Sequence, residues 1–145
     1  MKTQSITNII FFLLCINIGM AQNLEKTKDN SDEIRYELRV ELSKEDINKK
    51  HAFEIPKNIS SITSGIEGKV SNGVLKIYLM DPNKRSEGLF SLNASSSKKK
   101  GREHKGEAKG HFENENNRPL PGTWWLHVDG DEVEGQFTVE IVLSK

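Results

Sequence analysis

The sequence is almost without cysteine. Its single cysteine, Cys15, lies within the first 21 residues of the 145-residue chain. Once those residues are removed, as argued below, no disulfide, thiolate nucleophile or cysteine-ligated metal can form. The remaining 124 residues (145 less 21) must then be held together by core packing alone. This is feasible, because a domain of that size buries about two-thirds of its unfolded surface.

The sequence also lacks an excess of charge of either sign, since 21 Lys and Arg residues balance 21 Asp and Glu residues. Binding to a phosphate backbone requires a basic surplus, so nucleic acid is not a predicted partner. The Gly-x-Ser-x-Gly and His-Glu-x-x-His patterns of hydrolases are absent as well. Motifs therefore predict no catalytic residue.

The one long hydrophobic run is near the N-terminus, where every residue from Ile9 to Ile16 is apolar. Lys2 precedes this run and Gly19-Met20-Ala21 follows it, which is the arrangement of a cleaved secretory signal. The run is much shorter than the roughly 20 apolar residues that span a bilayer. Leu14 stands directly before the cysteine, where a lipoprotein signal has a small residue. We predict that residues 1–21 are cleaved and that no transmembrane span remains.

Export of a chain without disulfides is more typical of the bacterial cell envelope than of the eukaryotic secretory route. The predicted localisation is therefore secreted or periplasmic. A polar stretch follows the cleavage point, and we predict that residues 22–32 form a flexible N-terminal lead-in. Residues 33–145 are predicted to form one domain.

This domain has the pattern of short β-strands. Apolar and charged residues alternate strictly from Ile34 to Leu42, which indicates a strand with one buried face. Connections are predicted at the charged segment Ser43–Lys50 and at two turn signals, Ser71-Asn72-Gly73 and Asp129-Gly130-Asp131-Glu132. No helical periodicity of ten residues or more occurs. About eight short antiparallel strands predict an all-β fold, a single two-sheet β-sandwich of jelly-roll type.

Parts of the sequence resemble the ends of small accessory modules. Gly122-Thr123-Trp124-Trp125-Leu126-His127-Val128 and Gly135-Gln136-Phe137-Thr138-Val139-Glu140-Ile141 resemble the closing strands of the P-domain of proprotein convertases and of the pre-peptidase C-terminal domain. Leu75 to Asn83 resembles the strand and turn of those modules, and the turn is similar to that of the GOLD domain, although Lys84 stands where the turn usually has Gly. The resemblance implies a β-sandwich accessory module and implies no catalytic residue.

Four residues are candidates for ligand binding. Trp124 and Trp125 are adjacent on a predicted strand, so they point to opposite faces, and the alternation with Leu126 predicts that Trp125 and His127 face outward. By the same alternation Tyr78 and Lys76 face outward on their own strand. An outward tryptophan can stack on a sugar or anchor a partner. The alternative is that a loop or the N-terminal lead-in covers it.

Two charged segments are candidates for weaker sites. The carboxylates of Asp129, Asp131, Glu132 and Glu134 lie close in sequence and offer oxygen ligands, so calcium is a possible ligand; the alternative is a solvated turn. Several bases in a predicted loop could contact an anionic surface, the alternative being a mobile solvated loop. These bases are Lys98, Lys99, Lys100 and Arg102.

Together these observations predict an exported, non-catalytic binding or structural module without a cofactor, which contacts a glycan or a protein of the envelope or the extracellular space. The alternative is a small secreted hydrolase that uses a pair of carboxylates, because any two acidic side chains of the chain can converge on folding. The sequence predicts no oligomeric state.

Overall fold

A computed structural model describes residues 24–94, 97–99, 102–104 and 106–145; the predicted signal, residues 1–21, lies outside them. The described residues form β-strands joined by turns. None of their elements is a helix long and apolar enough to cross a membrane. The strands are β1 (Glu25–Asp29), β2 (Glu33–Ile55), β3 (Ser61–Met80), β4 (Ser86–Ala94), β5 (Ser97–Lys99), β6 (Arg102–His104), β7 (Ala108–Asn117) and β8 (Gly122–Ser144).

Six of the strands form one antiparallel sheet. Its order is β1-β2-β8-β3-β4, and β7 pairs with the same edge of β3 as β4 does. Strands β5 and β6 form a separate two-stranded hairpin. The prediction of an all-β, antiparallel fold is confirmed, whereas the strand pairing shows one six-stranded sheet where two sheets were expected.

The three central strands are much longer than predicted, because the chain does not reverse at the three expected connections. Segment Ser43–Lys50 lies within β2, Ser71–Gly73 within β3, and Asp129–Glu132 within β8. At these points the strands bend and their pairing shifts register. Gly73 does adopt the positive φ (80°) that an Asn-Gly pair favours, yet β3 continues beyond it. The three bends lie side by side, so they divide the sheet into two halves.

The two halves of the sheet pack against each other through their apolar faces. Tyr36 and Phe53 belong to the same strand, β2, on opposite sides of its bend, and their ring centroids are only 5.5 Å apart. Seventeen residues of straight strand would separate them by about 56 Å at roughly 3.3 Å per residue. The ring of Phe53 also lies 6.4 Å from that of Trp124, which is 1% exposed. The folded sheet therefore encloses one core.

The predicted lead-in contains strand β1, which pairs with Ile34 to Glu37 of β2. All five of its side chains are exposed, so it contributes main-chain hydrogen bonds and no core residue. The signal used to recognise strands from sequence is alternating burial, and β1 has none. Beyond Glu37 the pairing of β2 within the described residues is with β8 alone.

Candidate functional site

The predicted ligand-binding residues lie on the outer surface of one half of the sheet. Neighbouring strands there are β2, β8, β3 and β4, in that order. Trp124 is buried in the core and Trp125 is half-buried on the outer surface, as the alternation predicts. Trp125 is paired with Ala52 on one side and with Met80 on the other. Its indole therefore lies between a small exposed side chain and a half-buried thioether.

The next row of this surface brings two of the other candidates into contact. His127 is paired with Tyr78, and their ring centroids are 5.8 Å apart with an angle of 36° between the planes. Nε2 of His127 is hydrogen bonded to Oδ1 of Asn48 at 3.0 Å, which fixes the imidazole over β2. We call Trp125, Met80, His127 and Tyr78 the aromatic strip. All four are half-buried, so each exposes part of its surface to solvent.

A third row continues the aromatic strip into a polar depression. Lys76 is paired with Asp129, which on its other side is paired with Asn48. A depression of about 260 Å³ lies here, beside the bend of β8, and is lined by Val74, Lys76, Asp129, Gly130 and Asp131. The structure thus brings Lys76 and two of the predicted acidic residues next to the three predicted rings.

A turn held by a buried carboxylate follows the end of β3, one residue beyond Met80, the pairing partner of Trp125. Asp81 is 0% exposed, and its carboxylate accepts hydrogen bonds from the backbone N–H of Asn83 (2.8 Å), the backbone N–H of Arg85 (2.9 Å) and Nε of Arg85 (2.8 Å). Burial opposes the ionisation of this carboxyl, but the hydrogen bonds and charge of Arg85 outweigh it and lower the pKa of Asp81 below its ordinary value. Lys84 adopts a positive φ (62°) at the turn position where the resembled families usually have Gly.

The four acidic candidates follow the bend of β8 and do not converge. Asp129 faces Lys76 across the sheet, whereas Glu134 is paired with Ser43 and Asn72. The backbone N–H of Glu132 donates to the carboxylate of Asp46 at 2.8 Å. In the described part of the chain no three acidic, histidine or cysteine side chains form a group that could hold a metal ion. The predicted hairpin turn is instead part of a continuous strand.

Three of the four basic candidates, Lys98, Lys99 and Arg102, lie in the paired strands β5 and β6. Their backbone pairs Lys98 with Glu103 and Lys99 with Arg102. Lys100 lies outside the described residues. The segment expected to be a loop thus contains two short strands.

Sequence reasoning missed two apolar members of the surface. Met80 lies beside Trp125, and Leu89, which is 52% exposed, is paired with Tyr78. The signal for Leu89 was available, because it alternates with the buried residues Phe90 and Leu92 and must therefore point outward.

No known protein family matches the chain, and no curated protein matches it. None of the three families that the sequence resembles is confirmed. Among solved structures, a carbohydrate-binding module, CBM4, is 6% identical with a TM-score of 0.39, and the match covers 86% of this chain and 79% of that one. A protein of Bacillus endospore appendages, which form disulfide-linked pili, is 14% identical with a TM-score of 0.38, covering 84% of this chain and 97% of that one. The enzymatically active domain of tailspike protein 4 from bacteriophage CBA120 is 11% identical with a TM-score of 0.39, and this chain spans 16% of its length.

Proposed function

We propose that the chain is an exported, non-catalytic module that binds a carbohydrate through the aromatic strip. The observation that carries this proposal is the juxtaposition of Trp125, His127 and Tyr78. These side chains come from neighbouring strands, point the same way and remain partly open to solvent. Outward side chains on adjacent antiparallel strands lie side by side, so these rings can together contact the face of a pyranose ring.

The chemistry of the surface suits a sugar better than an apolar ligand. The negative face of an aromatic ring attracts the weakly positive C–H groups on one face of a sugar. Around the strip, Asn48, Lys76 and Asp129 supply hydrogen-bond donors and acceptors for the hydroxyl groups at the edge of that sugar. A few placed polar groups beside aromatic surface are typical of ligand sites.

Two features support a binding role in place of catalysis. The aromatic strip is an open surface, whereas glycoside hydrolysis requires two carboxyl groups on either side of the scissile bond, about 5–10 Å apart, around an enclosed sugar. Six strands of the described residues also form one antiparallel sheet folded on itself, an all-β arrangement that is compatible with a binding or structural module.

The proposal is tested by isothermal titration of the mature protein, residues 22–145, against a panel of soluble polysaccharides. We expect Trp125→Ala to weaken binding by about tenfold or more, as for a residue at the centre of a contact surface. Val142→Ala is the matched control, because Val142 lies on the outer surface of the same strand, β8, beyond the bend. Unchanged binding by Trp125→Ala would contradict the proposal. Release of reducing ends from any of the polysaccharides would favour the hydrolase.

A further inference from the structure

A groove of about 870 Å³ lies on the outer surface of the other half of the sheet. Two rows of outward side chains from β2, β8, β3 and β7 form it. The first row runs from Arg39 through Thr138 and Glu67 to His111, and the second from Glu41 through Gln136 and Lys69 to Lys109. Because the halves pack through their inner faces, this groove and the aromatic strip lie on opposite sides of the molecule. No sequence pattern pointed to it.

The groove has a physical cause in two inward-facing glycines. Gly68 and Gly110 are paired on β3 and β7 and line the groove from below. A Cβ on Gly68 would be 3.1 Å from Cδ1 of Leu92, and one on Gly110 would be 2.9 Å from Cδ2 of the same residue. The other half of the sheet therefore packs directly against bare backbone here, and the outer surface is depressed where the layers approach each other most closely. The depression is thus part of the packing of the core.

The side chains that reach into the groove are all capable of hydrogen bonding. The two apolar residues at its lining, Val40 and Phe137, point into the core and are 7% and 2% exposed. A groove without an exposed apolar side chain offers little to a lipid or to an apolar peptide. Its volume is within the range of about 300–1,000 Å³ that is usual for ligand sites.

The groove carries charges of both signs. Arg39 forms an ion pair with Glu37. The amines of Lys69 and Lys109 each lie 3.1 Å from the carboxylate of Glu107. These two lysines lower the pKa of Glu107, so it stays ionised between them.

Two carboxylates in the groove, those of Glu41 and Glu67, have no ion pair or hydrogen bond among the described residues, so their oxygens are free to accept. Free carboxylates beside the lysines oppose a polyanion, which would need an unbroken basic surface.

We propose that this groove is a second carbohydrate-binding site, which takes a chain of neutral sugar residues. A hydroxyl group both donates and accepts hydrogen bonds. The groove supplies acceptors at Glu41 and Glu67, donors at Lys69 and Lys109, and both at Gln136 and Thr138. Only a ligand rich in hydroxyl groups uses all of these at once without carrying net charge. The proposal shares its ligand class with the proposed function but does not depend on the aromatic strip. A module with sites on both sides would hold two polysaccharide chains together.

The experiment titrates the mature protein with two neutral polymers, barley β-glucan and glucomannan, and repeats each titration at high salt. We expect Glu67→Gln to weaken the affinity of the groove by about tenfold and to leave binding at the aromatic strip unchanged, because the substitution removes a charged hydrogen-bond acceptor from the groove. Thr138→Trp, which fills the middle of the groove from an outward strand position, is expected to abolish binding in the groove. Glu115→Gln, an exposed change on the same face but outside the groove, is the control. Thermal unfolding confirms that each variant is folded.

The outcomes separate this proposal from the preceding one. Binding that survives Trp125→Ala and is lost in Thr138→Trp establishes the groove, even if the aromatic strip binds nothing. Unchanged binding in both Glu67→Gln and Thr138→Trp overturns the groove, whatever Trp125→Ala does. Loss of binding at about 0.5 M NaCl also overturns the groove proposal. Salt at that concentration screens interactions between exposed charges, whereas a neutral sugar chain binds without them.

Discussion

Gly135 lies beside the bend of β8, in close contact with β3, and replacing it tests whether the two strands stay paired there. Gly135 has a φ of 156°, which residues with a side chain rarely adopt. A Cβ there would be 2.2 Å from the backbone oxygen of Lys69 and 2.7 Å from Cα of Val70. Both atoms belong to the paired strand β3, so neither can move without breaking the ladder. We expect Gly135→Ala to destabilise the protein by at least about 3 kcal/mol, the sum of backbone strain and this overlap.

Urea unfolding measures the effect. With a slope of about 1–3 kcal/mol per molar urea, a loss of about 3 kcal/mol lowers the midpoint by about 1–3 M. Gly65→Ala is the matched control, because Gly65 lies in β3 with nothing within 4 Å of its Cβ position. It is expected to be neutral or to stabilise by about 0.4–1 kcal/mol, since it restricts the unfolded chain. If both variants change the midpoint equally, or if Gly135→Ala changes it by less than about 0.3 M, the continuous bent strand is refuted.

Three further predictions concern the core, the buried carboxylate of Asp81 and calcium. Phe53→Ala should lower the free energy of unfolding by about 3–5 kcal/mol, because it removes the ring between Tyr36 and Trp124. Urea unfolding measures this loss, and a value below about 1 kcal/mol would show that the two halves of the sheet do not pack against each other there. Asp81→Asn should lower the urea midpoint at pH 7. Since the pKa of Asp81 is lowered on folding, its ionised form stabilises the protein above the unfolded pKa of about 3.9, and this contribution is lost as the pH falls further. The difference between wild type and Asp81→Asn should therefore shrink below pH ~4, and a difference that persists at pH 2.5 would argue against the ionised turn. Because the acidic residues of the β8 bend do not converge, millimolar Ca²⁺ should change the melting temperature by less than about 1 °C; a larger rise that EDTA reverses would establish a calcium site.

Much of the fold could be predicted from local sequence patterns, because burial alternates along the strands that form the core. The positions of Trp124 and Trp125 follow from the alternation with Leu126 alone. The same reasoning misplaced the connections at Asn72-Gly73 and Asp129-Gly130. A sharp bend and a hairpin turn require the same residue types, since both interrupt the ladder and favour glycine. Only the pairing of β3 with β8 on both sides of the bend distinguishes them, and that pairing is not encoded locally.

The aromatic strip was predictable residue by residue but not as a unit. Alternation places Tyr78 and His127 on outer faces, whereas their contact depends on the register between β3 and β8. The groove was not predictable, because its origin is the approach of Leu92 to Gly68 and Gly110 across the core. In the sequence those glycines are indistinguishable from glycines of loops or bulges.

The three bent strands have a consequence for how the molecule comes apart. In a sandwich of independent sheets, one layer can detach while the other keeps its ladder intact. Here β2, β3 and β8 each run through both layers, so every layer is anchored to the other by three covalent crossings. Neither layer can therefore unfold while the other stays folded. We expect the domain to unfold cooperatively, whether by proteolysis or under a pulling force.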